Sequence, residues 1–211
     1  MKTLNFVVVF LLLTTFTFAQ KYVFENKAVY EGIGLFHEKP KYGKYIIYWS
    51  IDKKIIALEI FDNEGINIAT TIFDPQNNRL IGIDEREKKG FIVKYDMYAT
   101  NKIISKKLDS SMFVGTNSFN NKICREYKYQ FPNGQIATFC IINALFNSDL
   151  LKFLEKTGYA FMPLPYGFKG IISNYTLINN KGNELASLKL TDLSLNAYFV
   201  FNLYNYKLQR Y

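Results

Sequence analysis

The sequence holds one histidine, two cysteines and one tryptophan among 211 residues. Nucleophilic catalysis usually pairs a serine or cysteine with a nearby base, most often histidine. His37, in "GLFHEKP", has no serine or cysteine signature around it and reads as an exposed loop residue. One histidine and two separated cysteines do not supply the ligand spacing of a zinc site. Asp62, Asp74 and Asp84 fall at strand ends, where turn chemistry accounts for the first two, and nothing marks a carboxylate pair of the glycosidase kind. No cofactor motif is visible, so the expectation is a protein without catalytic chemistry or cofactor. A basic stripe or reader motif for nucleic acid is also missing, as are internal repeats and low-complexity linkers.

Long apolar runs are scarce too. The one unbroken run, residues 6–13 in "MKTLNFVVVFLLLTTFTFAQ", is far below the ~20 residues of a membrane span. Preceded by Lys2 and followed by the small-x-small signal Thr17-Phe18-Ala19, it has the layout of a secretory signal peptide cleaved after Ala19. The cleaved chain, residues 20–211, is expected to be a soluble periplasmic or extracellular protein of one domain. No cysteine near the cleavage point offers a site for lipid attachment. The net charge of +8 favours anionic surfaces such as lipid head groups, so peripheral membrane contact is compatible with it. The lysines are nevertheless spread out, as in ordinary solubilising surfaces.

What is abundant is aromatic: 19 Phe and 16 Tyr, 17% of the chain with tryptophan, a composition that favours strands. Hairpin signals set a register. A turn at Asp52-Lys53 pairs Trp49 with Ile56, Ile47 with Leu58 and Tyr45 with Ile60. The turn "DNEG" at 62–65 then brings Ile60 opposite Ile68, Leu58 opposite Thr70 and Ile56 opposite Ile72. "DPQNNR" places Ile81 against Ile72 and Ile83 against Thr70. One face thus collects Tyr45, Ile47, Trp49, Ile56, Leu58, Ile60, Ile68, Ile72, Ile81 and Ile83. The other carries Glu59, Asn67, Thr71 and Asp84, diluted by Ala57, Phe61 and Phe73, and reads as turned mostly to water.

Residues 20–42 read as a loose start, 90–96 as a fifth strand, the stretch to 120 as irregular, and 122–143 as a second hairpin. Ser148 and Asp149 offer cap chemistry to a short helix over 148–156 with Leu151 and Leu154 on its apolar stripe. Residues 158–170, "GYAFMPLPYGFKG", read as a surface loop whose apolar tips include Phe161, Met162 and Leu164. Two or three closing strands follow. An oxidising compartment makes a bridge between Cys124 and Cys140 the default. Yet a loop at residues 132–135, or a tighter one at Asn133-Gly134, pairs Tyr127 with Cys140 and sets the two sulfurs on opposite faces, which opposes a bridge. Both outcomes stay open at this stage.

The succession "GKYIIYWSIDKKIIALEIFDNEGINIATTIFDPQNNRLIGID", then "NKICREYKYQFPNGQ" with a short helix soon after, resembles the LolA-like group of secreted Gram-negative envelope proteins. That resemblance implies a mainly β (α+β) fold, a half-open antiparallel barrel whose concave face is covered by a short helix and a loop. It also implies binding of lipid or acyl chains in place of catalysis. A helix of two and a half turns, roughly 13 Å, is too short to roof a sheet of seven or more strands. An apolar ligand between sheet, helix and loop is therefore the leading expectation, with the ten sheet residues, Leu151, Leu154, Phe161, Met162 and Leu164 as its lining. The alternative is a structural module with a filled core that recruits an envelope protein through exposed edge strands. A small outer-membrane barrel fits less well, because Gln209 and Arg210 break the final alternation.

Overall fold

The computed structural model describes residues 21–36, 39–94, 107–147, 162, 164, 165 and 167–211. His37, the helix expected over 148–156 with Leu151 and Leu154, and Phe161 lie outside the described residues. The strands are β1 (Lys21–Phe24), β2 (Asn26–Phe36), β3 (Lys39–Ser50), β4 (Ile55–Phe61), β5 (Asn67–Asp74), β6 (Arg79–Asp84) and β7 (Lys89–Lys94). They continue with β8 (Phe113–Phe119), β9 (Lys122–Gln130), β10 (Ile136–Asn147), β11 (Lys169–Ile178), β12 (Glu184–Ser194), β13 (Phe199–Asn202) and β14 (Lys207–Arg210).

Twelve of them form one curved sheet in the order β14-β7-β6-β5-β4-β3-β2-β12-β11-β10-β9-β8. Every pairing is antiparallel except β14 on β7. Two meanders, β2–β7 and β8–β12, are therefore welded along one seam where β2 meets β12. Among the described residues the sheet does not close into a barrel, and β14 and β8 are its edges. β1 and β13 form a separate two-stranded ribbon.

The half-open β architecture agrees with expectation, and three local readings are corrected. Residues 20–42 are not a loose start but hold β1, β2 and the beginning of β3. β2 hides its strand character behind Gly32 and Gly34. At Gly32 (φ +134°) an added Cβ would lie 2.0 Å from the Ser187 carbonyl oxygen, so the close approach of β12 demands glycine. The irregular stretch before 120 contains β8, whose residues are mostly exposed on both faces and so show no alternation.

The third correction is register. β3 and β4 pair as expected, with Trp49↔Ile56, Ile47↔Leu58 and Tyr45↔Ile60. The loop after β4 also has the expected length: the Asp62 amide donates to the Ile66 carbonyl, and Gly65 takes φ +77°. One residue further on, a β-bulge between Ile60 and Phe61 shifts the ladder, so that Ile60 faces Ala69, Leu58 faces Thr71 and Ile56 faces Phe73. A slip of one sends every later side chain to the other side. β6 keeps its expected pairing to β5, Ile72↔Ile81 and Thr70↔Ile83, and is carried across with it.

Consequently the single oily face is two faces. Tyr45, Ile47, Trp49, Ile56, Leu58 and Ile60 lie in one cluster with Phe73, Leu80 and Val93 and with Phe139, Ile172, Tyr175 and Leu188 of the second meander. Ile68, beside the bulge, is half-buried against it. Ile72, Ile81 and Ile83 lie in a second cluster with Ile46, Tyr48 and Ala57. That side is not turned to water. The β1–β13 ribbon covers it, with Phe201 5.2 Å and Phe199 5.3 Å from the Tyr48 ring. The two meanders also curl toward each other. The Tyr30 hydroxyl donates to the Ile172 carbonyl at 2.9 Å, and the Trp49 indole donates to the Leu145 carbonyl at 3.1 Å while packing edge-on to Phe146.

Candidate functional site

The β9–β10 hairpin sets up a large cleft among the described residues. Its loop has three residues: the Phe131 amide donates to the Gln135 carbonyl, and Gly134 (φ +81°) closes the turn, with the Asn133 side chain accepting from the Gln135 amide. An odd loop moves the ladder by one from the even-looped reading, giving Cys124↔Ile142 and Glu126↔Cys140. Cys124 and Cys140 then share a face as diagonal neighbours, Cα atoms 5.5 Å apart, and are disulfide-bonded. The register objection is thus overturned by loop length. Ser173 lies beside the bridge, its hydroxyl donating to the Cys140 carbonyl.

The opposite face of the hairpin presents Ile123, Arg125, Tyr127, Ile141 and Asn143 as the floor of a cleft of about 1090 Å³. One wall is Leu108, Asp109 and Ser110, leading into a 3-10 turn capped by the Asp109 side chain, which accepts from the Ser111 amide. Another is Gly167, Phe168 and Lys169, and Phe113 and Thr116 of β8 close the outer side. A run of rings leads inward. Phe113 meets Tyr127 at 5.7 Å, Tyr127 stacks on Phe139 at 5.9 Å, and Phe139 lies 6.3 Å from Phe168. Its outer end is open, with Phe113 46% and Ile123 77% exposed. Arg125 and Lys169 are exposed in the lining and Asp109 is the single acid among its described residues, which together carry a net positive charge.

This space is not where the sequence reading placed it. Tyr45, Ile47, Trp49, Ile56, Leu58 and Ile60 are at most 2% exposed and pack as core. Ile72, Ile81 and Ile83 face the ribbon. Met162 and Leu164, read as tips of a surface loop, are buried, as is Phe168. The cleft residues escaped notice because β8 lacks alternation and because the β9–β10 register was off by one.

A second polar cluster lies on the ribbon side of β4. The Tyr48 hydroxyl donates to Glu59 at 2.7 Å, and Asn67 Nδ2 donates to the other Glu59 oxygen at 3.0 Å. Asn67 Oδ1 is buried without a partner. Nearby, Glu85 accepts from Thr70, Tyr206 and Lys88. Burial, reinforced by the Glu85 charge, holds the Glu59 carboxyl above its usual range. A carboxyl raised in the folded state favours folding below the unfolded value, and that contribution is lost as pH rises through the folded one. Glu59→Gln, neutral at every pH, removes the cost of burying a charge and is therefore expected to raise stability at neutral pH by about 1 kcal/mol. The gain should shrink as pH falls through the raised folded value to the ordinary carboxylate range, and change no further below it. Denaturant unfolding at pH 7.5 and pH 4, as test conditions, checks both halves, and equal or lower stability at the higher pH would refute the assignment. Among the described residues no group of three or more His, Cys, Asp or Glu is placed to hold a metal ion.

No protein-family model matches the sequence, and no curated protein is similar to it. A solved structure shares the strand arrangement. An uncharacterised conserved protein from Thermus thermophilus superposes with a TM-score of 0.52 at 9% identity, covering 92% of each chain. MucB superposes with a TM-score of 0.40 at 10% identity, over 82% of this chain and 54% of its own. An outer membrane lipoprotein-sorting protein domain from Vibrio parahaemolyticus gives 0.31 at 6% identity, over 81% and 85%. The first likeness concerns the strand arrangement alone, and the other two are too loose to carry an argument.

Proposed function

We propose that this chain is a single exported domain that binds rather than catalyses, and that the cleft between β8, β9, β10 and the 167–169 segment receives an apolar chain carrying an acidic head. The carrying observation is the ring-lined cleft of about 1090 Å³ with Arg125 and Lys169 in its lining, a size and polarity typical of ligand pockets. Each buried methylene adds about 0.8 kcal/mol, so one acyl chain in contact with Phe113, Tyr127 and Ile141 binds without an elaborate polar site. Arg125 supplies the counter-charge for a carboxylate or phosphate head. The disulfide supports an oxidising compartment and hence export.

Native mass spectrometry and uptake of a fluorescent fatty acid test the reading. One equivalent should be retained or taken up. Ile123→Asp, at an exposed lining position, should weaken uptake by about tenfold or more without lowering thermal stability. Arg125→Gln should weaken binding of the fatty acid more than that of the corresponding alcohol. Recovery of the protein empty, together with no uptake at saturating fatty acid, would exclude a carrier.

A second reading has its own observation. β8 pairs only with β9 among the described strands, carries no charge in "FVGTNSF", and leaves Val114 61% exposed. Such an edge suits addition of an extended segment from an envelope protein. Replacing Ser118, exposed on β8 and outside the cleft lining, with proline should abolish capture of that partner while leaving fatty-acid uptake in place, and retained capture would rule this surface out.

A further inference from the structure

At the end of the sheet far from the cleft, three cations meet. Arg79 on β6 stands directly opposite Lys94 on β7, and the parallel pairing of β14 sets Arg210 opposite Ile92, two residues from Lys94. Together with Asn77, Asn78 and Tyr211 they line a cavity of about 210 Å³. Like charges placed directly across a ladder oppose pairing, so the arrangement calls for a counter-charge. Arg79 also stands opposite Asp74 on β5 and its guanidinium reaches Tyr22; Asp74 is buried and accepts from the Tyr22 hydroxyl, the Asn77 amide and the Asn77 side chain, so the cations left to be balanced are Lys94 and Arg210. Elsewhere basic side chains have acids to hand, as in Lys27–Asp192, Arg86–Asp62 and Lys88–Glu85. Among the described residues no ion pair engages Lys94 or Arg210, and both are exposed.

We propose that this corner is a binding site for a phosphate group, either free or as the head of an anionic lipid. The geometry suits that class. Two guanidinium groups and one ammonium line a hollow of phosphate-ester size. The site shares no residue with the cleft and does not depend on what the cleft holds.

The test uses the full secreted chain, inorganic phosphate, and vesicles of phosphatidylcholine with and without phosphatidylglycerol. Phosphate should saturably shift the backbone amide resonances of Asn78, Lys94 and Arg210, and the Lys94→Gln/Arg210→Gln variant should weaken binding about tenfold or more. Both substitutions are at exposed positions and leave the Arg79–Asp74 strand pair intact. A free-phosphate source gives this result in solution. A lipid-head source gives weak solution binding but vesicle binding that requires phosphatidylglycerol and is lost in the same variant. The proposal is overturned if neither phosphate up to about 10 mM nor anionic vesicles bind. It also fails if Lys53→Gln/Lys54→Gln, a control of equal charge loss in the turn after β3, weakens binding as much.

Discussion

Reducing the Cys124–Cys140 bridge is expected to cost the protein about 3 kcal/mol of stability, the value for a closed loop of some 15 residues; the separation here is 16. The bridge spans β9 and β10, the hairpin that forms the cleft floor and lies next to the exposed edge strand. Without it, β8 would have little besides the ladder to hold it, because it is mostly exposed, and β9 would be left to its Tyr127 and Tyr129 contacts. Cys124→Ala/Cys140→Ala should unfold at the same denaturant concentration as the reduced wild type. In both, amide exchange should rise first in β8 and β9. An unfolding midpoint insensitive to reductant, or free thiols in the native protein, would show that the bridge does not form.

A comparable loss is expected from one methyl group at the seam. In Gly32→Ala the new Cβ would meet the Ser187 carbonyl oxygen at 2.0 Å and Leu188 Cα at 3.3 Å, in a backbone conformation of φ +134°. Both obstacles are main chain, so relief requires opening the β2–β12 pairing that joins the two meanders. Overpacking and backbone strain each cost roughly 1–3 kcal/mol, and here they act together, for on the order of 3 kcal/mol or more. Gly65→Ala is the matched control. Its φ is +77° but nothing lies within 4 Å of the added carbon, so it should lose only about 1 kcal/mol from the turn conformation. Equal effects of the two substitutions in denaturant unfolding would refute the close-approach argument.

The same local chemistry explains what could be read from the residues and what could not. Turn composition located the hairpins, and alternation of Tyr45, Ile47 and Trp49 against Ile56, Leu58 and Ile60 fixed the first ladder correctly. Bulges carry no comparable signature. The extra residue after the Asp62–Ile66 loop is an ordinary isoleucine, and Leu185, the extra residue after the Asn179–Asn183 loop, is equally silent. Each silently inverts the faces of the strands beyond it. The Pro132-Asn133-Gly134 loop fits two- and four-residue readings as easily as the three-residue one, and that ambiguity hid both the disulfide and the cleft floor. Strands exposed on both sides, such as β8, lack the periodicity by which strands are recognised. The half of the fold that alternates was legible, and the candidate site lies in the half that does not.

The pairing of β2 with β12 and of β1 with β13 joins the earliest strands to nearly the last. A chain made from its amino end must therefore wait, with β2 an unsatisfied border, until residue 194 and beyond has emerged. Such long-range closure predicts slow acquisition of the native state and a window of vulnerability to self-association. Fragments that stop short of β12 should precipitate where the whole chain stays in solution.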